Sequence, residues 1–346
     1  MCQLEYTLRF LTPAFLGNDE QNAQWRTPPI KHLLREWWRV AYAAEHGFEV
    51  DIAAMRHEEG LLYGHAWLDD DRDAEGKKVA ARRSEVRLRL ESPRGASVDA
   101  WGKGTQKGVS PLSTGPETGY AWFGLIDPKN PKNDRHAVKA AATADSESAE
   151  SIRVLKLAFP AQHTARIEVA IGLIHAFGQL GSRSRGGWGS LHIDGIATLD
   201  PEAMQRYAQP IGVCLKRDWA MALASNADGL CVWQSQHGYD SWDKAMRVIA
   251  IERKLVRTAL KLYQGKDLRA ALGFATPGRM PSPLRWKVFA DADGKLGLRI
   301  FAMPHRLPAE CKKTMTDADL DGAWSKVVKT LDESKVVRRL QGKKTG

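Results

Sequence analysis

Residues 165–199 constrain the fold of this chain more than any other stretch. "ARIEVAIGLIHAFGQL" (165–180) repeats apolar residues at helical spacing, with Ile167, Ala170, Ile171, Ile174 and Phe177 along one face. "GSRSRGGWGSL" (181–191) follows at once, and "SLHIDGIATL" (190–199) reads as a strand. A helix with a wide apolar face that turns almost directly into a strand has to lie against a sheet, because neither element buries its apolar side alone. The run between them holds four glycines and two arginines within nine residues, 181–189. Something must approach that backbone closely.

The neighbouring segments supply the rest of a sheet. "LEYTLRFLT" (4–12) alternates as a strand stopped by Pro13, and "TPPIKHLLREWWRVAYAAEHG" (27–47) is a helix entered through prolines and closed by Gly47. "RRSEVRLRLES" (82–92) and "SIRVLKLAF" (151–159) are two further strands. The order strand, helix, strand, strand, helix, strand is that of a ferredoxin-like unit, with helices on one sheet face and the other open to a ligand or partner. Residues 93–118 are rich in Gly, Ser, Pro and Thr and 127–150 are almost free of large apolar residues, so both read as loop insertions, the second a mobile one.

Beyond Asp200-Pro201 the pattern shifts towards helix, at 240–265 and again at 316–337, where Thr316 and Asp319 suit an N-terminal capping pair. Between these helices, 282–304 reads as a hairpin turning on residues 291–294. The expected fold class is therefore α+β. A ferredoxin-like (RRM-like) domain occupies 1–200, and a mostly helical region, 201–346, carries a second hairpin or ferredoxin-like element.

The chain has 346 residues and a net charge of +10, from 51 Lys+Arg against 41 Asp+Glu. That balance favours a polyanionic partner, nucleic acid before an acidic membrane surface. The four cysteines, Cys2, Cys214, Cys231 and Cys311, are widely spaced and fit reduced thiols better than disulfides or a zinc site. No apolar run is long enough to span a bilayer, and "MCQLEYTLRF" has no signal-peptide core, so a cytoplasmic protein is expected.

Two basic features point to phosphate. The glycine run lies between a helix and a strand, the reverse of the dinucleotide fingerprint. Its glycines expose backbone N–H groups between Arg183 and Arg185, with Ser182 and Ser184 as added donors, a combination that suits phosphate oxygens. Trp188 is placed to stack a base. On the helix at 27–47, Lys31, Arg35 and Arg39 fall within about 80° of one another, with Arg26 just before them and only Glu36 interrupting. Leu33, Leu34, Trp37, Val40 and Ala41 occupy the opposite, core-facing side. A solvated face is the plain alternative. A membrane-surface adaptor fits less well, because its tryptophans also face the expected core.

"RTPPIKHLLREWWR" (26–39), "LLYGHAW" (61–67) and "FGQLGSRSRGGWGSL" (177–191) together resemble the RAMP superfamily of CRISPR effector proteins. Within it they are most similar to the head subunit of the type III-B (Cmr) complex. The resemblance runs from residue 1 to about 199 and continues weakly in "PSPLRWKVF" (281–289). It implies a noncatalytic RNA-binding subunit that holds the 3′ part of the guide RNA and the adjoining target RNA, beside other RAMP subunits, with no cofactor. The family's basic helix maps onto Lys31, Arg35 and Arg39, and its glycine loop onto Gly178, Gly181, Gly186, Gly187 and Gly189 with the residues between. Gln179 and His32 depart from the family pattern.

The alternative is a RAMP-type endoribonuclease that processes guide precursors, with His32 as acid–base residue. No second acid–base partner for His32 is evident in the sequence. "RHEEGLLYGHAWLDDDRD" (56–73) matches no metal-ligand spacing and reads as an exposed acidic loop. No catalytic or metal-binding residue is therefore expected.

Overall fold

The computed structural model describes residues 1–16, 24–91, 121, 125, 152–263, 265–274, 279–308 and 315–341. The expected loops at 93–118 and 127–150, Cys311 and the basic residues 342–346 lie outside the described residues.

Strand β1 (Cys2–Phe10) follows its alternation: Leu8 and Phe10 are buried, while Gln3 and Glu5 are exposed. It is the inner strand between β3 (Ile152–Phe159) and β4 (Leu191–Ile193), with β2 (Arg87–Leu90) outside β3, and all pairs are antiparallel. Helix α1 (Thr27–Glu45) starts through Pro28 and Pro29, at positions whose N–H groups would have no helical acceptor. It packs against α3 (Thr164–Phe177), which buries the predicted face from Ile167 to Phe177. The chain thus runs β1-α1-β2-β3-α3-β4 with strand order 2-3-1-4, the ferredoxin-like course expected for this half. An extra helix, α2 (Ile52–Tyr63), follows α1; its N-cap Asp51 accepts from the amides of Ala53 and Ala54.

The region beyond residue 200 is richer in strand than its sequence suggests. After a small three-stranded sheet, β5 (Ala208–Pro210), β6 (Leu223–Asn226) and β7 (Gly229–Leu230), comes a second complete unit. Its elements are β8 (Val232–Ser235), α4 (Trp242–Ala259), β9 (Leu284–Ala290), β10 (Leu296–Ala302), α5 (Asp317–Asp332) and β11 (Val337–Arg339). The sheet order β11-β8-β10-β9 repeats that of the first sheet. The expected hairpin is β9–β10, and the expected capping box joins Thr316 to Asp319 at the start of α5. Strands β8 and β11, of four and three residues, are too short to show a period, so the sequence leaves them unassigned.

The halves are welded where the glycine run meets β9. Trp286 N–H donates to the Arg185 carbonyl, Val288 N–H to Ser190 Oγ, and the Gln179 side-chain amide to the Trp286 carbonyl. Lys287, fully buried, donates through Nζ to the carbonyls of Ile174 (3.3 Å), Gly178 (2.8 Å) and Leu191 (2.5 Å), and Arg299 donates to that of Ala176. Burial pushes the Lys287 ammonium well below the ordinary lysine value. Against that stand three oxygens for its three donors and the negative end of α3, whose last carbonyls have no helical partners. Trp37, Phe177 and Phe301 meet across the same junction, with ring centroids 5.5 Å (Trp37–Phe177) and 4.8 Å (Phe177–Phe301) apart.

The face of the first sheet opposite its helices carries Glu5, Arg9, Lys156 and Asp194, and these pair with one another or with Glu91. Lys156 bridges Glu5 and Glu91, and Arg9 chelates Asp194. The same face also carries Arg87 and Arg89, both exposed on β2, so its charges are only partly paired; the cleft lined by arginines lies elsewhere.

Candidate nucleic-acid interface

A cleft of about 570 Å³ opens where the glycine run, the entry of α1, helix α4 and the approach to β9 converge. Its described lining includes Arg26, Arg183, Arg185, Arg253 and Arg279, the backbone of Gly181–Gly186, and no acidic residue. Arg26, Arg183 and Arg279 are exposed at the rim, while Arg185 and Arg253 are half-buried. Clefts of roughly 300–1,000 Å³ hold ligands of nucleotide size.

The loop owes its shape to backbone demands. Ser182 N–H donates to the Phe15 carbonyl, and tight turns follow from Gly186 N–H to Arg183 and from Gly187 N–H to Ser184. Gly181 (φ +94°) and Arg183 (φ +58°) both lie in the left-handed region, which holds the residues between them facing the cleft. Arg185 donates to the Ser282 carbonyl at 3.0 Å, anchoring its guanidinium across the floor. Behind it Arg285 and Glu36 form an ion pair at 2.6 Å, with Arg185 at 3.9 Å from the same carboxylate oxygen. Arg285 and Arg185 hold the Glu36 carboxyl below its ordinary value despite its burial. Burial and the like charge of Arg285 push the Arg185 guanidinium down to about 9, with Arg279 adding to the shift. Arg185 thus shares the single Glu36 carboxylate with Arg285, an excess of positive charge that an arriving phosphate relieves.

The other residues singled out in the sequence have different surroundings. Gly178, Gly187, Trp188 and Gly189 are buried, and what approaches their backbone is the protein itself. A Cβ on Gly189 would lie 1.9 Å from the Leu180 carbonyl oxygen, one on Gly178 2.5 Å from that of Ile174, and one on Gly187 2.7 Å from an Ile249 methyl. Trp188 is a core anchor, donating to the Ala121 carbonyl and set edge-on to Phe15 at 5.2 Å, so the stacking role does not hold. The opening half of the run faces solvent and the closing half faces the core.

The basic ridge on α1 also needs correction. Segment 56–73 is no exposed acidic loop, since its first part belongs to α2 and buries Glu59 at 1% exposure. Glu59 accepts from Arg35 Nε (2.7 Å) and from Arg39 Nε and Nη2 (2.9 and 2.8 Å), while Lys31 donates to the Tyr63 carbonyl. Asp71 is likewise buried between His65 and Arg82, which hold its carboxyl low. Arg35 and Arg39 thus hold α2 against α1. Arg253, Arg279 and Ser282 are cleft residues that the sequence does not disclose, because they lie more than sixty positions beyond the loop they join. The basic, proline-bracketed "GRMPSPLRW" (278–286) was the available signal.

Among the described residues no group of His, Cys, Asp and Glu is placed to hold a metal ion, and no helix is long and apolar enough to cross a membrane. No protein-family model matches the chain, and neither does any curated protein. Among solved structures the chain is similar to Cmr1 from Pyrococcus furiosus in its apo form, at 16% identity over 93% of each chain and a TM-score of 0.49. It is also similar to a chain of the type III-B Cmr-beta assembly bound to cognate target RNA, at 11% identity over 93% of this chain and 99% of that one, with a TM-score of 0.48. A second Cmr-beta structure, with target RNA and AMPPnP in the presence of ssDNA, gives 11% identity, 94% and 98% coverage and a TM-score of 0.48. The likeness is weak in sequence, and it is the cleft and the motif residues that carry the function proposed for this chain.

Proposed function

We propose that the chain is an RNA-binding subunit of a type III-B CRISPR ribonucleoprotein effector, located with the complex in the cytoplasm. It holds the 3′ part of the guide RNA and the adjoining target RNA by their backbones, beside other RAMP subunits, and does no chemistry of its own. The observation that carries this is the cleft with five arginines and no acidic residue in its described lining. The resemblance of residues 26–39, 61–67 and 177–191 to RAMP motifs supplies the setting. Recognition is of phosphate and shape, because the only tryptophan in the loop is buried and Phe15, the one aromatic side chain in the cleft's described lining, is itself buried at 3% exposure.

The endoribonuclease reading is the weaker one. His32 is exposed on the first turns of α1, and Glu36, one turn further on, is held by Arg285. A histidine whose neighbouring carboxylate is committed elsewhere lacks the second member of an acid–base pair.

The test replaces the rim arginines Arg26, Arg183 and Arg279 together by Ala. Affinity for single-stranded RNAs of unrelated sequence is expected to fall alike for all of them. Exposed substitutions of this kind change stability by only about 0.5 kcal/mol each. Unchanged RNA binding, or cleavage of RNA that His32→Ala abolishes, would contradict the proposal.

A further inference from the structure

Two adjacent glycines of the loop lie against helix α4 of the second unit, and they meet it differently. Met246, Ile249 and Arg253 share one face of that helix, within about 60° of one another at 100° per residue. A Cβ on Gly187 would press on the apolar pair, 2.7 Å from the Ile249 methyl and 3.0 Å from Met246 Sδ. A Cβ on Gly186 would instead run into Arg253 Nη1 and come within 2.9 Å of its Cζ. Gly186 is buried although it lines the cleft, and the guanidinium of Arg253 is what lies over it.

Backbone conformation does not explain this glycine. Gly181, Gly187 and Gly189 have positive φ, but Gly186 does not, so any residue could adopt its backbone. The chain is also pinned there: Gly186 N–H donates to the Arg183 carbonyl at 2.8 Å, and the Arg185 carbonyl accepts from Trp286 N–H at 3.1 Å. A side chain at 186 would therefore displace the flexible end of Arg253 and leave the loop in place. We propose that Gly186 is a positioning residue for RNA, whose missing side chain leaves the berth in which Arg253 lies on the loop. A planar guanidinium suits bare backbone, and its five N–H donors serve a phosphate oxygen as well as a protein acceptor. The phosphate site is then shared, with the loop supplied by the first unit and the Arg253 guanidinium by the second. This rests on the reading of the cleft as an RNA-backbone site.

The experiment measures the affinity of a single-stranded oligouridine, and its salt dependence, for the whole chain carrying Gly186→Ala, Arg253→Ala or both, beside wild type and the rim-arginine triple variant. Each single substitution is expected to lower the slope of log K against log salt by about 0.7, which is about fourfold in affinity at about 0.15 M salt. The double variant should lose no more than either single one, because Gly186 acts only through Arg253. The thermal unfolding midpoint of Gly186→Ala should stay at the wild-type value. Wild-type affinity and slope in Gly186→Ala would overturn the inference, as would a loss in the double variant equal to the sum of the two. So would a lowered unfolding midpoint that Arg253→Ala does not restore, since the glycine would then serve the loop itself. If the rim triple variant is weakened and Gly186→Ala is not, the berth alone fails; if both bind as wild type does, the RNA-binding reading fails and this inference with it.

Discussion

Glu59→Gln separates a structural clamp from an RNA-binding ridge. The Glu59 carboxylate is buried and receives three charge-assisted hydrogen bonds, one from Arg35 and two from Arg39. Removing one partner of a buried ion pair costs about 3–5 kcal/mol, because the remaining charge is left without compensation. Here the remaining charges are two guanidiniums whose side chains are 29 and 33% exposed, so water recovers part of that loss. A destabilisation of about 2–3 kcal/mol is expected. Gln keeps the shape and one acceptor oxygen, but its amide turns donors towards donors. Urea unfolding followed by tryptophan fluorescence reads the change directly, since Trp38 packs on α1 against Tyr63 of α2. Arg35→Ala should destabilise the wild type and cost at least about 1 kcal/mol less in the Glu59→Gln background, as expected of residues in one network. The clamp is refuted if Glu59→Gln leaves stability within about 0.5 kcal/mol of wild type while Arg35→Ala weakens RNA binding as much as the rim-arginine variant.

His175 gives the fold an acid limb. It is buried, accepts the Ile193 N–H at Nδ1, and is pushed down to about 3 by burial, with Lys287, His192 and Arg299 adding to the shift. Between about 6.5 and 3 the unfolded chain takes up the proton and the folded one does not, so stability falls as pH drops through that window. The slope is up to about 1.4 kcal/mol per pH unit, and His175→Asn, which keeps an acceptor, should flatten it by one proton between pH 6 and pH 4. Identical slopes would mean that His175 ionises inside the fold. Gly189 (φ +62°) has no room for a Cβ, whereas Gly195 (φ +75°) has nothing within 4 Å of one. Gly189→Ala should cost more than about 3 kcal/mol from strain and overpacking together, and Gly195→Ala about 1 kcal/mol; similar losses at both sites in thermal unfolding would contradict the packing account.

Local signals in the sequence disclose the elements that carry their own punctuation. The prolines of α1, the apolar face of α3, the turn at 291–294 and the Thr316–Asp319 capping box each correspond to an observed feature. What sequence cannot disclose is which charges meet. Glu59 reads as one acid among several until α2 forms and brings it under Arg35 and Arg39. The glycine run reads as uniform, yet Gly181–Arg185 face a cleft while Gly187–Gly189 are pressed against Pro13, Leu180 and Ile249. Arg253 and Arg279 reach the cleft only because β9 docks on the loop, a pairing between residues about a hundred positions apart. The second unit is half-legible for a related reason: its short strands β8 and β11 gain their identity from β10 and β8 beside them rather than from their own pattern.

The most direct test of the account is the salt dependence of RNA binding by the wild-type chain and by the Arg26, Arg183 and Arg279 triple alanine variant. Each phosphate contact to single-stranded RNA contributes about 0.7 to the slope of log K against log salt concentration. If the cleft holds the backbone, the variant's slope should be shallower by about 2 for three lost contacts, equally for unrelated sequences. A variant with the wild-type slope and affinity would show that the RNA does not bind in this cleft.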